Sequence, residues 1–237
     1  MSGGVRGEAA ARVPPGARAP GLQAVLLDMD GLLVDSEPLW FEVERQVMAR
    51  LDGPWSPADQ AYLIGGSLDR SVRYMLGKAA RPAEPAVVGC WLVDGMAALV
   101  RDQGVPLKPG AAALLSSLAA AGIPTALVTS AERAIMTAII EVTGLAVDVT
   151  VCAEDVTRRK PDPEPYLRAA ALLGADPACC AALDDSPTGV ASAEAAGCAV
   201  VAVPSVPIPP GAGRLMVASL AEVTPGTLRD LVQNRCL

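Results

Sequence analysis

The chain has 237 residues, of which 51% are hydrophobic and 19% charged, so it is long and apolar enough to form a core and is not a globally disordered protein. Its formal net charge of -7 at pH 7 argues against sequence-independent binding to nucleic acid. The chain contains no histidine, which excludes His-ligated zinc and catalytic groups built from Ser-His-Asp or Cys-His.

Residues 1–20 are rich in Gly, Ala, Arg and Pro and lack the apolar stretch of a signal peptide. We therefore predict a disordered tail at residues 1–20. The chain has no run of about 18 or more apolar residues that would predict a membrane span. We expect a monomeric cytoplasmic protein that binds neither nucleic acid nor membranes.

The first predicted strand is the apolar run at residues 24–27, which has the composition of a buried strand in a parallel sheet. It leads directly into Asp28, Asp30 and Gly31. The alternation of side chains along a strand places the two acids on the same side, at the end where open α/β sheets bind ligands. Two carboxylates so close together repel each other unless a cation or a shared proton offsets their charge.

Residues 37–104 show the helical spacing of apolar residues and no strand pattern, and a connector that contains Pro and Gly follows at 105–110. This pattern predicts a helical cap that is inserted after the first strand. The remaining residues, 21–36 together with 105–237, are predicted to form the core domain.

Within that core, three segments repeat the order of strand, polar loop and helix, and one more buried strand follows them. The predicted strands span 123–128, 147–152, 180–183 and 198–203, and the predicted helices span about 131–142, about 165–173 and a small-residue stretch that ends near 197. Beyond residue 204 we predict a loop with one short helix near 227–232. Alternating strands and helices predict parallel βαβ units, so the predicted fold class is α/β, a Rossmann-like doubly wound parallel sheet with an inserted helical cap.

Polar residues follow the predicted strands at the edge of the sheet where parallel strands bring their carboxyl ends together. They are Asp28 and Asp30, Thr129 and Ser130, Lys160, and Asp184 and Asp185. Taken singly, Thr129 is typical of a helix N-cap, and Lys160 is typical of a solvated surface lysine. The two acids before Ser186 are typical of a helix cap. Together, four carboxylates around one lysine form a set of hard oxygen ligands that suits Mg²⁺.

A longer string at residues 28–40, Asp-Met-Asp-Gly-Leu-Leu-Val-Asp-Ser-Glu-Pro-Leu-Trp, resembles the first motif of the haloacid dehalogenase superfamily. Within that superfamily it is similar to the branch that holds sugar-phosphate phosphatases and β-phosphoglucomutase. The resemblance implies a Rossmann-like core, a cap placed directly after the first motif, and the transfer of a phosphoryl group to an aspartate.

The resemblance also implies roles for the acids. Asp28 matches the nucleophile that forms an aspartyl phosphate, and Asp30 matches the general acid and base. Asp28, the backbone carbonyl of Asp30, and Asp185 match ligands of Mg²⁺. Asp184 stands where relatives often carry Glu, so it is expected to help hold the metal directly or through water.

Thr129 and Ser130 match the phosphate-binding second motif, and Lys160 matches the lysine that stabilises charge on the phosphoryl group. Ser36 is predicted to be structural, and Glu37 is given no role. In the predicted cap, a short string resembles the substrate loop of the mutase and contains Gly65, Gly66 and Ser67. A tight turn between two helices explains this string equally well.

The alternatives differ at specific residues. A haloacid dehalogenase usually lacks the second acid, so Asp30 disfavours that reaction. A β-phosphoglucomutase-like mutase would carry a histidine in place of Trp40, and a lysine and an arginine in place of Ile64 and Leu68. A catalytically silent binding protein on the same scaffold would have lost an acid or the lysine. We therefore predict a Mg²⁺-dependent phosphatase whose partner is a small phosphorylated metabolite, a sugar or polyol phosphate, with the mutase as the alternative.

Overall fold

The computed structural model describes residues 21–211 and 213–235, so the tail predicted at 1–20 lies outside the described residues. The strands are β1 (Ala24–Leu27), β2 (Thr125–Val128), β3 (Val149–Val151), β4 (Cys180–Asp184), β5 (Ala199–Ala202) and β6 (Arg214–Met216). They form one sheet in the order β3-β2-β1-β4-β5-β6, and every pairing within it is parallel. The direction of the strand order reverses at β1, which is where such sheets form a ligand-binding crevice.

β1 lies in the interior of the sheet, and its four residues are fully buried. Ala24 and Leu26 pack into an apolar cluster on one face, whereas Val25 and Leu27 pack into the cluster on the other face. A strand that is covered on both faces needs no polar side, which explains its unbroken apolar sequence.

The α-helices of the described ranges are α1 (Glu37–Arg50), α2 (Pro57–Leu63), α3 (Leu68–Lys78), α4 (Pro85–Gln103), α5 (Ala111–Ala120), α6 (Arg133–Thr143), α7 (Glu164–Leu172), α8 (Pro187–Ala195) and α9 (Pro225–Gln233). None of the helices in these ranges combines the length and apolar character that a membrane span requires.

Helices cover both faces of the sheet. On one face, α7 packs against β1, β2 and β3, and α8 packs against β4 and β5. On the other face, α9 packs against β4, and α5 packs against α9. This arrangement confirms the predicted α/β fold with a doubly wound parallel sheet.

The helical insertion that the sequence predicts consists of α1 to α4. α1 and α3 both pack against α4, and α4 packs against α6 of the core. Pro38 occupies the first turn of α1, where its missing N–H group is tolerated, and α4 ends at Gly104, whose φ of 74° favours glycine. The boundaries of the cap domain, 37–104, stay a prediction.

Two elements differ from the sequence-based prediction. The region beyond residue 204 contains β6, so the prediction of a loop there was wrong at Arg214–Met216. β6 is short and incompletely buried and forms because β5 offers it a parallel edge, so no apolar run marks it in the sequence. α5 is a further helix to which the sequence pattern assigns no element.

Candidate active site

The loops that follow β1, β2 and β4 open at one edge of the sheet. A cavity of about 140 Å³ lies there, a size that holds a single small organic molecule. It is lined by every predicted site residue except Asp184, namely Asp28, Asp30, Gly65, Gly66, Ser67, Thr129, Ser130, Lys160 and Asp185. The structure therefore brings residues of the core strands and residues of the insertion to one place.

Lys160 joins two of the acids. Its Nζ atom lies 2.5 Å from Oδ1 of Asp28 and 2.8 Å from Oδ2 of Asp184, and its side chain is 4% exposed. Burial alone would lower the pKa of the ammonium group, but the charges of Asp184 and Asp28 outweigh burial and raise that pKa. Lys160 is therefore a buried, charged cation and not a solvated surface lysine.

Asp28 lies directly after β1, and its backbone N–H donates to the carbonyl of Leu183, which continues the pairing of β1 with β4. Burial raises the pKa of its carboxyl group well above the ordinary value, and Lys160 partly offsets this effect. Asp184 and Asp185 raise that pKa further. Asp28 therefore depends on nearby positive charge to stay ionised.

Asp184 is completely buried, and other protein groups bond both of its carboxylate oxygens. Oδ1 accepts hydrogen bonds from the backbone N–H and the hydroxyl of Ser186, at 3.0 and 2.9 Å. Oδ2 accepts from the hydroxyl of Tyr166 at 2.6 Å and from Lys160. A Cβ atom on Gly189 would lie 1.9 Å from Oδ2, so a larger residue there would displace the carboxylate. Asp184 therefore holds Lys160 in position.

Asp185 follows Asp184 and lines the cavity. Its Oδ2 atom accepts a hydrogen bond from the hydroxyl of Ser205. Burial, together with the charge of Asp184, raises the pKa of Asp185 to about 7. Gly31 has a φ of 81°, and a Cβ atom there would lie 2.0 Å from Oδ2 of Asp185. Glycine is therefore required for the loop after β1 to approach this acid.

Three of the acids are close enough to hold one metal ion. One carboxylate oxygen from each of Asp28, Asp184 and Asp185 lies within 4.8 Å of the others. A divalent cation would offset the burial and repulsion that raise the pKa values of Asp28 and Asp185, and such oxygen donors suit Mg²⁺. Because the oxygens of Asp184 already accept four hydrogen bonds, Asp28 and Asp185 are the better direct ligands. The residues present therefore fit the predicted metal.

Asp30 lies on the wall of the cavity, in the turn that follows β1. Its Oδ1 atom accepts a hydrogen bond of 2.6 Å from the hydroxyl of Ser36, which is fully buried. Ser36, which the sequence predicts to be structural, thus contacts a predicted catalytic acid directly. Burial raises the pKa of Asp30, and a raised pKa suits a group that must carry a proton near neutral pH.

Thr129 and Ser130 follow β2 and line the cavity. The N–H of Thr129 donates to the carbonyl of Val151 at 2.9 Å, and its Oγ1 atom accepts from the N–H of Ala131 at 3.0 Å. Because α6 begins at Arg133, later than the predicted residue 131, Thr129 is not its N-cap. The phosphate-binding role of Thr129 and Ser130 stays a prediction.

Gly65, Gly66 and Ser67 connect α2 to α3 and lie on the wall of the cavity that the insertion provides. Gly65 has a φ of 70°, and Ser67 caps α3 by accepting a hydrogen bond from the N–H of Arg70. The carbonyl of Gly65 accepts a hydrogen bond of 3.1 Å from the hydroxyl of Thr188, which joins the insertion to the core. The segment is therefore both a tight turn and part of the cavity.

The sequence-based prediction gives no role to several polar residues at the site, including Tyr166, Ser205, Glu37 and Glu44. Tyr166 and Ser205 donate to the acids of β4 and its loop, and Glu37 and Glu44 line the cavity from α1. Glu44 has a signal in the sequence, since it is an acid on the apolar face of α1. Tyr166 and Ser205 have none, because their contacts arise only from tertiary packing.

Known proteins resemble this chain in sequence and in fold. A family model described as haloacid dehalogenase-like hydrolase matches residues 22–197. The chain is 40% identical over 182 residues to hexitol phosphatase A of Escherichia coli (strain K12), which covers 75% of this chain and 81% of that protein. It is 34% identical over 184 residues to a plasmid phosphoglycolate phosphatase of Cupriavidus necator, with 76% and 80% covered.

A solved structure shows the same fold. The crystal structure of a CbbY mutant from Rhodobacter sphaeroides in complex with xylulose-(1,5)bisphosphate aligns with a TM-score of 0.77 and 25% sequence identity. The alignment covers 85% of this chain and 96% of that one. The fold and the sequence similarities thus agree with each other.

Proposed function

The chain belongs to the haloacid dehalogenase-like hydrolases, and from that premise we propose that it is a Mg²⁺-dependent phosphatase that hydrolyses a small sugar or polyol phosphate through an aspartyl phosphate on Asp28. The observation that carries the proposal is the convergence of Asp28, Asp30, Lys160 and Asp185 on one cavity. The similarity to hexitol phosphatase A supports a polyol phosphate as the substrate.

In the first half of the reaction, Asp28 attacks the phosphorus atom of the ester. Lys160 holds Oδ1 of Asp28 at 2.5 Å, so Oδ2 forms the new bond to phosphorus. The bond from phosphorus to the ester oxygen breaks at the same time, and Asp30 donates its proton to that leaving oxygen. The raised pKa of Asp30 supports this role.

In the second half, water attacks the phosphorus atom of the aspartyl phosphate. Asp30, now ionised, accepts a proton from that water, and phosphate leaves as the carboxylate of Asp28 is restored. The hydrogen bond from Ser36 holds Oδ1 of Asp30, and Oδ2 would carry both proton transfers. The Oγ1 atom of Thr129 accepts a hydrogen bond from Ala131, and its hydroxyl hydrogen would donate to a phosphate oxygen when the substrate is bound.

Mg²⁺ would be held by Asp28 and Asp185, with the backbone carbonyl of Asp30 as the further ligand that the family resemblance implies and Asp184 acting without direct contact. When bound, the ion supplies the positive charge that lets a dianionic phosphate approach an anionic nucleophile.

We also propose that residues 37–104 form the cap and that residues 21–36 with 105–237 form the core. The turn at Gly65 and Gly66 supports this division, because it closes the cavity from the side of the insertion. The hydrogen bond from Thr188 to Gly65 is a contact that would break when such a cap opens.

The proposal is tested by hydrolysis of p-nitrophenyl phosphate and sorbitol 6-phosphate, with Mg²⁺ and then with EDTA. We expect EDTA to abolish turnover and Asp28→Asn to lower it at least about 1,000-fold, because an amide cannot form the intermediate. Asp35→Asn is the matched control, since Asp35 lies in the same segment but does not line the cavity. Equal turnover in EDTA, or undiminished turnover by Asp28→Asn, would contradict the mechanism. Conversion of a sugar phosphate to its isomer without release of phosphate would favour the mutase.

A further inference from the structure

The insertion contributes polar side chains to the cavity that the proposed reaction does not use. Glu37, Trp40 and Glu44 of α1 line the cavity, and their spacing of three and then four residues places them on one face of the helix. Gln60 of α2 also lines it. Because the proposed function places the phosphate at the strand ends of the core, the leaving group of the substrate faces these residues.

Glu44 has a buried carboxyl oxygen that is available to bind a polar group of a ligand. It is 5% exposed, and its Oε2 atom has no hydrogen-bond partner among the residues that the structure describes. A buried carboxyl oxygen without a partner is unfavourable unless a ligand supplies one. Burial and the charge of Glu37 raise the pKa of Glu44 to about 8. The indole N–H of Trp55, which also lacks a hydrogen-bond partner among the described residues, offsets only part of this rise. A hydroxyl group can pair with either protonation state of Glu44, because it both donates and accepts hydrogen bonds.

Glu37 is held in place for a similar contact. The Nε2 atom of Gln60 donates to the backbone carbonyl of Glu37 at 2.6 Å and to its Oε2 atom at 3.2 Å. These contacts fix the side chain and leave Oε1 for a ligand. Glu37 and Glu44 therefore offer two positioned carboxyl groups, which is an arrangement suited to a molecule with several hydroxyl groups.

The charges around the cavity argue against a second anionic group on the substrate. Within the described ranges, Lys160 is the one lysine or arginine that lines the cavity, and it is already paired with Asp28 and Asp184. Ile64 and Leu68 of the insertion line the cavity with apolar side chains. A second phosphate or a carboxylate would lose its hydration there without gaining a cation.

We propose that Glu37 and Glu44 determine the specificity of this enzyme: they bind the hydroxyl groups of an uncharged polyol or sugar leaving group, and the cavity rejects phosphate esters that carry a second anionic group. The inference rests on the proposed function and narrows its substrate class. It separates this chain from two proteins that resemble it, one named for phosphoglycolate and one crystallised with a bisphosphate. Both of those compounds carry a second anionic group.

The first test is the value of kcat/KM with Mg²⁺ for sorbitol 6-phosphate, phosphoglycolate and xylulose 1,5-bisphosphate. We expect a preference for sorbitol 6-phosphate of at least about 100-fold over both other esters, since each of them carries a second anionic group that would lose its hydration in the cavity without gaining a cation. Equal values, or a preference for either of the two esters with a second anionic group, would overturn the proposal.

Variants of Glu44 test the residue itself. Glu44→Met removes the hydrogen-bonding oxygens at similar volume and should lower kcat/KM for sorbitol 6-phosphate about tenfold more than for phosphoglycolate. Glu44→Gln keeps polar atoms and should restore most of that loss. Glu42→Met is the matched control, because Glu42 lies on the same helix, pairs with Arg45 and does not line the cavity. An equal loss for both esters in Glu44→Met would refute the specificity role.

Equilibrium binding to the Asp28→Asn protein, measured by calorimetry with Mg²⁺, separates this inference from the proposed function. Selective binding of sorbitol 6-phosphate, combined with no turnover of any ester by the parent protein, would refute the phosphatase and support the inference. Hydrolysis of p-nitrophenyl phosphate combined with unselective binding of the three esters would support the phosphatase and refute the inference. Absence of binding of all three esters would overturn the inference as well.

Discussion

Replacement of Lys160 by methionine tests whether one buried cation holds the acids of this site together. Methionine has a similar length and volume, so the change removes the charge and its hydrogen-bond donors without opening a large cavity. The Nζ atom of Lys160 lies 2.5 Å from Asp28 and 2.8 Å from Asp184, and the side chain is 4% exposed. The variant therefore leaves two buried carboxylates without their cation.

Removal of one partner from a buried ion pair costs about 3–5 kcal/mol. We expect the free energy of unfolding of Lys160→Met, measured by urea denaturation in EDTA at about pH 7, to fall by about that amount. Burial raises the pKa of Asp28, and the loss of Lys160 raises it further. A carboxyl group whose pKa is raised on folding destabilises the protein as pH increases, so the loss should be smaller at about pH 5. With Mg²⁺ present, hydrolysis should fall about 100- to 1,000-fold.

Lys78→Met is the matched control for this variant. Lys78 pairs with Asp59 away from the cavity, and its side chain is 29% exposed. We expect the control to lose much less stability than Lys160→Met, because water screens the Lys78 ion pair, and to keep its hydrolytic activity. The reasoning is refuted if Lys160→Met unfolds within about 1 kcal/mol of the parent protein at pH 7, or if both variants lose the same amount.

Tyr166→Phe removes the hydroxyl that donates to Asp184 at 2.6 Å, and urea denaturation should show a loss of about 2 kcal/mol; a loss below about 0.5 kcal/mol would count against this bond. Gly189→Ala places a Cβ atom against the Asp184 carboxylate and should lower kcat at least about tenfold, so unchanged kinetics would contradict the close approach. Burial raises the pKa of Glu44 from 4.5 to about 8, so the parent protein should lose about 2–4 kcal/mol of stability relative to Glu44→Gln between about pH 5 and 9. Glu42→Gln should show no such trend.

The fold and most of the proposed site were predictable because the sheet is parallel. A buried parallel strand needs an unbroken apolar run, and its carboxyl end must lie at the edge of the sheet that binds ligands. Asp28 and Asp185 could therefore be assigned to the same edge of the sheet, because an apolar run precedes each of them. β6 could not be predicted, because its three residues gain their stability from pairing with β5 and not from their own pattern.

The amino-acid sequence alone determined which chemical groups stand at the ends of the strands, since periodicity and chain order act locally. Only the tertiary structure decided how strongly each group is buried and what it contacts. Both carboxylate oxygens of Asp184 accept hydrogen bonds, which come from Tyr166, Ser186 and Lys160. Glu44, in contrast, is buried with a carboxylate oxygen that lacks a hydrogen-bond partner within the described residues. These differences depend on side chains that come from other segments of the chain. Hydrogen bonding and desolvation are set by such three-dimensional neighbours, and no local sequence pattern specifies them.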